Sequence, residues 1–142
     1  MPAQSLVSAL LALQFVAFGW RLNREITVGD KRSKTWLPLP DWLNLISFLA
    51  VVFWCVVIPL ASGFFGKTPI ATLSRVANTA LVGGYVLIAF HPISEAAHYR
   101  LFSKDGRSIY KGDYPWCTGQ EILAVTLSLI FASLAGCFAW HA

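Results

Sequence analysis

The feature that most constrains this chain is a set of four long apolar runs separated by short polar segments. Each run supplies roughly 20 residues, the length that an α-helix needs to cross a hydrocarbon layer about 30 Å thick. We predict one domain, residues 1–142, folded as an all-α membrane protein with a four-transmembrane-helix bundle. The predicted spans cover about residues 3–20, 42–65, 69–91 and 120–141.

The composition agrees with a lipid environment. Of the 142 residues, 56% are hydrophobic and only 13% are charged, whereas soluble domains carry about 25% charged residues. A soluble domain of this size has too much surface for its volume to cover so much apolar area. The runs are continuous rather than alternating, as a membrane β-barrel would require, so helices are the remaining way to satisfy backbone hydrogen bonds in lipid.

The positions of the basic residues predict the orientation. Residues 21–41 contain five Lys or Arg and residues 92–119 contain four, whereas Lys67 is alone in the connection between the second and third runs. Because basic loops stay on the cytoplasmic side, we expect both termini to be extracytoplasmic, in the plasma (inner) membrane of a bacterium. The net charge of +4 belongs to these loops, and we predict membrane lipids rather than nucleic acid as partners.

Local signals predict how the helices begin and end. Asp41 is a candidate N-cap for the second helix, and Pro59 is expected to kink that helix or end it a turn early. Thr118 and Glu121 have the spacing of a capping box that opens the last helix.

The loop at residues 92–119 contains two further signals. Ser94 is a candidate N-cap for a short helix lying at the cytoplasmic interface. Asp105 and Gly106 form a turn pattern that predicts a β-hairpin.

Small residues recur at four-residue spacing on the last two helices. They are Ala80 and Gly84 in the third helix, and Ala124, Ser128, Ala132 and Gly136 in the fourth. Small residues let membrane helices approach closely. The pattern predicts either packing within the chain or an assembly face for a homo-oligomer or a partner membrane subunit.

Polar residues cluster near the start of the third helix, at Ser74, Arg75, Asn78 and Thr79. Arg75 is close enough to the helix end to reach the headgroups, which lowers the free-energy cost of a charged residue in a membrane span. Alternatively, this face lines a cavity for an anion or a substrate head. The predicted spans contain no acidic residue that could pair with Arg75.

His91, Glu95 and His98 are spaced four and three residues apart, so one helix would place them on one face, as in metal sites of helical bundles. Imidazole and carboxylate ligands suit zinc or iron. Pro92 disfavours helical geometry at His91, and the competing interpretation leaves His98 solvated. We therefore predict no cofactor, with a metal or haem as the alternative.

Three functional hypotheses follow, and motifs of known enzyme classes support none of them. The leading hypothesis is a small polytopic subunit or homo-oligomer, not an enzyme, that binds partners through the faces of the third and fourth helices and a basic loop. The loop residues expected to contact lipid or a partner are Arg100, Lys104, Arg107 and Lys111. The alternatives are an oligomeric transporter or pore lined by the polar face of the third helix, and a metal- or haem-dependent membrane enzyme.

Overall fold

The computed structural model describes residues 4–29, 37–64, 71–99 and 117–142, and these contain four helices long and apolar enough to cross a membrane. The first is α1 (Gln4–Gly29); the second combines α2 (Leu39–Val52), a π-helical turn (Phe53–Val57) and α3 (Ile58–Phe64); the third is α4 (Ala71–His98); and the fourth is α5 (Gly119–His141). The prediction of an all-helical fold with four candidate spans is confirmed.

The helices extend further than the apolar runs at one end of the bundle. The first apolar run ends near residue 20, but α1 continues to Gly29; the third ends near residue 91, but α4 continues to His98. We call this the polar end: α1 and α4 end there, and α2 and α5 begin there. The expectation that the spans contain no acidic residue is wrong. Glu121 already lies within the predicted fourth span, and the helices as they form also contain Glu25, Asp41 and Glu95.

Two of the predicted N-caps have different outcomes. The Thr118 hydroxyl accepts a hydrogen bond from the Glu121 backbone N–H at 3.0 Å, and the Glu121 carboxylate accepts one from the Thr118 backbone N–H at 3.2 Å. The capping box is therefore confirmed. Asp41 is not an N-cap, since α2 begins after Pro38 without a side-chain cap, and the Asp41 carboxylate bonds to side chains of other helices instead.

Both internal prolines are accommodated without ending a helix. Proline has no N–H and its ring crowds the carbonyl four residues earlier. Just before Pro59 the chain forms the π-helical turn, a common way to relieve such crowding, and then continues to Phe64. The helix α4 passes through Pro92 and Ser94 to His98. A separate helix does not begin at Ser94, because buried side chains on both sides of Pro92 hold α4 together. The predicted β-hairpin lies outside the described residues.

Helix α4 is the central element, packed against α5, α2 and α1. Its small residues allow this. A Cβ placed on Gly83 would lie 3.9 Å from the Ala132 carbonyl of α5, whereas one on Gly84 would face Leu10 of α1 and Val51 of α2. Gly83 therefore allows the close approach of α5, and Gly84 allows that of α1 and α2.

The contact between α4 and α5 uses the small residues of the fourth span. The Thr79 hydroxyl donates to the Gly136 carbonyl at 3.4 Å, and Ala124, Ser128 and Gly136 are buried. Ala80 and Ala132 are half-buried. These positions pack mainly inside the chain, while side chains such as Phe138, 82% exposed, face outward.

The adjacent glycines provide a matched test of this packing. In Gly84→Ala, the new Cβ would lie 2.8 Å from Leu10 Cδ2 and 3.2 Å from Val51 Cγ2, and both of these side chains are fully buried. Overpacking costs about 1–3 kcal/mol, whereas Gly83→Ala gains helix propensity without a clash. We expect Gly84→Ala to unfold more easily than Gly83→Ala by about 1–3 kcal/mol in mixed detergent micelles followed by circular dichroism. Equal stabilities would contradict this packing.

Candidate functional site

Five ionisable side chains from three helices meet at the polar end. We call them the ion-pair cluster: Arg21 and Glu25 of α1, Asp41 of α2, and His91 and Glu95 of α4. All five are buried, with Arg21 only 1% exposed and Asp41 fully enclosed. Charged groups are buried only at a large desolvation cost unless they are paired and hydrogen-bonded.

Arg21 makes most of the pairings in the cluster. Its Nε donates to Asp41 Oδ2 at 3.1 Å and lies 2.9 Å from Glu95 Oε2. Its Nη2 donates to Glu25 Oε1 at 3.1 Å, and its Nη1 donates to the Tyr99 hydroxyl at 2.7 Å. The guanidinium fork, with five N–H donors, can serve several acceptors at once. One side chain thereby ties α1 to both α2 and α4.

Asp41 is held on both of its oxygens. While Oδ2 accepts from Arg21, Oδ1 lies 3.0 Å from His91 Nε2. The carboxylate thus bridges a side chain of α1 and a side chain of α4. It sits in the first turn of α2, where the helix dipole favours negative charge.

The cluster contains more acidic groups than basic ones, with three carboxyl groups around one guanidinium. Full ionisation of the carboxyl groups beside a neutral His91 gives an excess of two negative charges, and each carboxyl group that keeps its proton reduces that excess by one. In addition, Glu95 Oε1 and Glu25 Oε2 are buried without a hydrogen-bond partner among the described residues. Uncompensated charge is costly in a buried place, so the cluster can accept further positive charge.

A cavity of about 660 Å³ adjoins the cluster, between α1 and α4. The apolar part of its wall consists of Leu13, Val16, Ala17, Trp20, Ile88, Pro92 and Ala96. Arg21, Arg24, His91, Glu95 and Tyr99 supply the polar part. Several of the α1 residues are more than half exposed, including Val16 at 68% and Trp20 at 66%. The cavity therefore opens along the outer surface of the bundle.

Arg24 gives the cavity an available cation. Its guanidinium carbon lies 4.1 Å from the centroid of the Tyr99 ring, a cation–π contact. Its Nη1 is buried, and within the described part of the chain it has no hydrogen-bond acceptor. Pro92 adds a further polar group to this region, since its missing N–H leaves the Ile88 carbonyl without its usual helical donor.

A second polar network fixes the helix ends around the site. His98 Nδ1 lies 2.7 Å from Glu121 Oε2, and Glu121 Oε1 accepts from the Leu39 backbone N–H at 2.9 Å. The Thr118 hydroxyl also donates to the Ala97 carbonyl at 2.9 Å. These bonds join the starts of α2 and α5 to the end of α4, which places Asp41 opposite His91.

Buried amides fix α1 against α2 nearer the middle of the span. Gln14 Nε2 donates to the Ser47 hydroxyl at 2.9 Å, and Asn44 Nδ2 donates to the backbone carbonyl of Gln14 at 3.1 Å. Polar side chains commonly join membrane helices in this way. This contact sets the register that brings Arg21 level with Asp41.

The structure keeps two of the three predicted metal ligands together and places the third in a different network. His91 and Glu95 lie together, with Asp41 as their third neighbour. His98 is 1% exposed rather than solvated, and its ring contacts Glu121. Three members of the cluster, Arg21, Glu25 and Asp41, were not identified from the sequence. The four-residue spacing of Arg21 and Glu25 on one helix face was the available signal.

The polar face predicted on the third helix does not join this site. Arg75 is exposed, Ser74 and Asn78 are half-buried, and Thr79 bonds to Gly136 of α5. The loop residues Arg100, Lys104, Arg107 and Lys111 lie outside the described residues.

Removal of the central cation should destabilise the bundle. Arg21→Ala leaves buried carboxylates without their partner, a change that costs about 3–5 kcal/mol. Arg75→Ala is the matched control, since Arg75 is an exposed arginine and exposed substitutions stay within about 0.5 kcal/mol. The measurement is the free energy of unfolding in mixed detergent micelles. An Arg21→Ala protein as stable as Arg75→Ala would show that the cluster contributes little.

Comparisons with known proteins do not extend these observations. No family model matches the chain, and no match to it was found among curated proteins or among solved structures.

Proposed function

We propose that this chain is a membrane binding protein for a small amphipathic molecule, which it holds in the cavity between α1 and α4. The observation that supports this most is the position of a largely apolar cavity against the ion-pair cluster. Cavities that bind small molecules measure about 300–1,000 Å³ and combine apolar walls with a few convergent polar groups. The cavity has both properties.

The apolar wall indicates where the ligand comes from. Val16 and Trp20 line the cavity and are also largely exposed on the outer face of α1. In a membrane, that face contacts hydrocarbon, so a lipid-soluble molecule reaches the cavity laterally without crossing water. In the orientation that the basic residues predict, the polar end lies on the cytoplasmic side, at headgroup depth.

The polar wall indicates the chemistry of the ligand head. Among the described residues, the buried Arg24 Nη1 has no acceptor, and Arg21 adds a second guanidinium nearby. A carboxylate, phosphate or carbonyl oxygen fits these donors. The ligand class is therefore an amphiphile with an apolar body and a hydrogen-bond-accepting head.

Two of the three hypotheses drawn from the sequence have less support than this proposal. Assembly through the third and fourth helices would need small-residue faces that pack within the chain instead, as the contact of Thr79 with Gly136 illustrates. A pore lined by the third helix would form between several copies of the chain, and Arg75, on the exposed surface, does not line the cavity between α1 and α4.

The binding proposal is tested by filling the cavity. Ala17 lies in its wall, whereas Ala12 is an exposed alanine on the same helix. Dibromostearate, whose bromine atoms quench tryptophan fluorescence, serves as the probe against the purified chain in detergent, with Trp20 as the reporter. We expect saturable quenching in the wild type and in Ala12→Phe. In Ala17→Phe the affinity should fall at least about tenfold, equivalent to about 1.4 kcal/mol.

The reporter has its own control. Trp20→Phe should remove the saturable component and leave the quenching of the other tryptophans. Equal affinities in Ala17→Phe and Ala12→Phe, or a saturable component that persists in Trp20→Phe, would contradict binding in this cavity.

A further inference from the structure

We propose that Asp41, His91 and Glu95 bind one divalent transition-metal cation at the wall of the cavity. The three residues come from two helices, α2 and α4, and all three are buried. The site differs from the set read from the sequence, because Asp41 takes the position that spacing alone had given to His98.

The distances fit a common metal centre. Ligand atoms that each lie about 2.0–2.2 Å from a metal are about 3–3.6 Å from one another when they are neighbours in its coordination shell. His91 Nε2 and Asp41 Oδ1 are 3.0 Å apart. One ligand atom from each of the three residues falls within 4.8 Å of the other two, so a small movement of Glu95 closes the site.

Arg21 leaves the required oxygens available. It contacts Asp41 Oδ2 and Glu95 Oε2, whereas Asp41 Oδ1 faces His91. Glu95 is 8% exposed, and its Oε1 has no hydrogen-bond partner among the described residues. Each carboxylate can therefore keep one oxygen on Arg21 and offer the other to a metal. Partners of this kind orient metal ligands in many sites.

The charges also fit a dication. Ionised Glu25, Asp41 and Glu95 carry three negative charges, and Arg21 carries one positive charge. With a neutral His91, a divalent cation brings the buried cluster to zero formal charge, the arrangement with the least uncompensated charge. A monovalent cation would leave one negative charge over.

The donor set selects the kind of metal. One imidazole and two carboxylates suit manganese, iron(II), cobalt or zinc, whereas calcium and magnesium prefer oxygen-only ligands and copper(I) prefers thiolates. Three protein ligands leave further coordination positions open. Since His91 and Glu95 line the cavity, those positions face the cavity rather than the helix contacts.

Cobalt(II) is the probe for the test, since its absorption spectrum reports the ligands directly. The intact chain is purified in detergent, treated with a chelator and titrated with Co²⁺. We expect one ion bound per chain. Outer partners of metal ligands contribute about 10–100-fold to affinity, so loss of a ligand in Asp41→Asn or His91→Gln should weaken binding by at least about 100-fold. His98→Gln, which alters the third ligand of the set predicted from the sequence and leaves an amide that can still donate to Glu121, should bind much more tightly than either of these variants.

Wild-type protein alone provides a second measurement, independent of how well the variants fold. X-ray absorption of the Co²⁺-loaded chain should show a single imidazole among oxygen ligands. Three results would each overturn the proposal. They are two imidazoles in the coordination shell, no Co²⁺ binding by the folded wild type, and a loss of binding in His98→Gln while Asp41→Asn still binds like the wild type. Quenching by dibromostearate is measured on metal-free protein, so the two proposals fail separately.

Discussion

The buried guanidinium of Arg21 is the interaction on which the polar end of this bundle depends. It is the one side chain of the described residues that contacts acidic groups of α1, α2 and α4 together. Bringing such charges out of water costs several kcal/mol for each ion, and only close pairing compensates for it. The pairing also fixes how far α1 stands from α4. In the cavity between these helices, Arg21 joins α1 to α4 at one end, and apolar side chains that include Ala17 and Trp20 line the space beside it.

An ion-pair cluster can have the purely structural role of holding helices together, but that role does not explain two buried atoms that have no hydrogen-bond partner among the described residues. A purely structural network tends to be fully satisfied, because each unpaired buried polar atom is costly. Glu95 Oε1 and Arg24 Nη1 are both buried without a hydrogen-bond partner in the described part of the chain, and both residues line the cavity. Ionisable residues within a membrane usually mark a functional site. Both side chains border the cavity in which the proposed ligand lies.

The sequence predicts the four spans and the capping box because both are local patterns. Helix length and hydropathy need no knowledge of neighbours, and Thr118 with Glu121 acts across one helical turn. The site could not be predicted in this way. Its polar residues lie just beyond the apolar runs, where they resemble loop residues, and Pro92 suggests a helix end that α4 does not have. The pairing of Arg21 with Asp41 and Glu95 is tertiary, and it appears only when the helices are placed side by side.

The cavity and the proposed cation site share His91 and Glu95, so their occupancies cannot be independent. A cation bound there adds positive charge beside Arg24 at the end of the cavity that receives the ligand head. Its open coordination positions also accept the same oxygen atoms that fit Arg24. An amphiphile with a carboxylate or phosphate head therefore gains affinity from the metal, and by linkage the metal gains affinity from the amphiphile to the same degree. His91 and Glu95, which belong to both the cavity wall and the proposed cation site, therefore connect the two halves of the site.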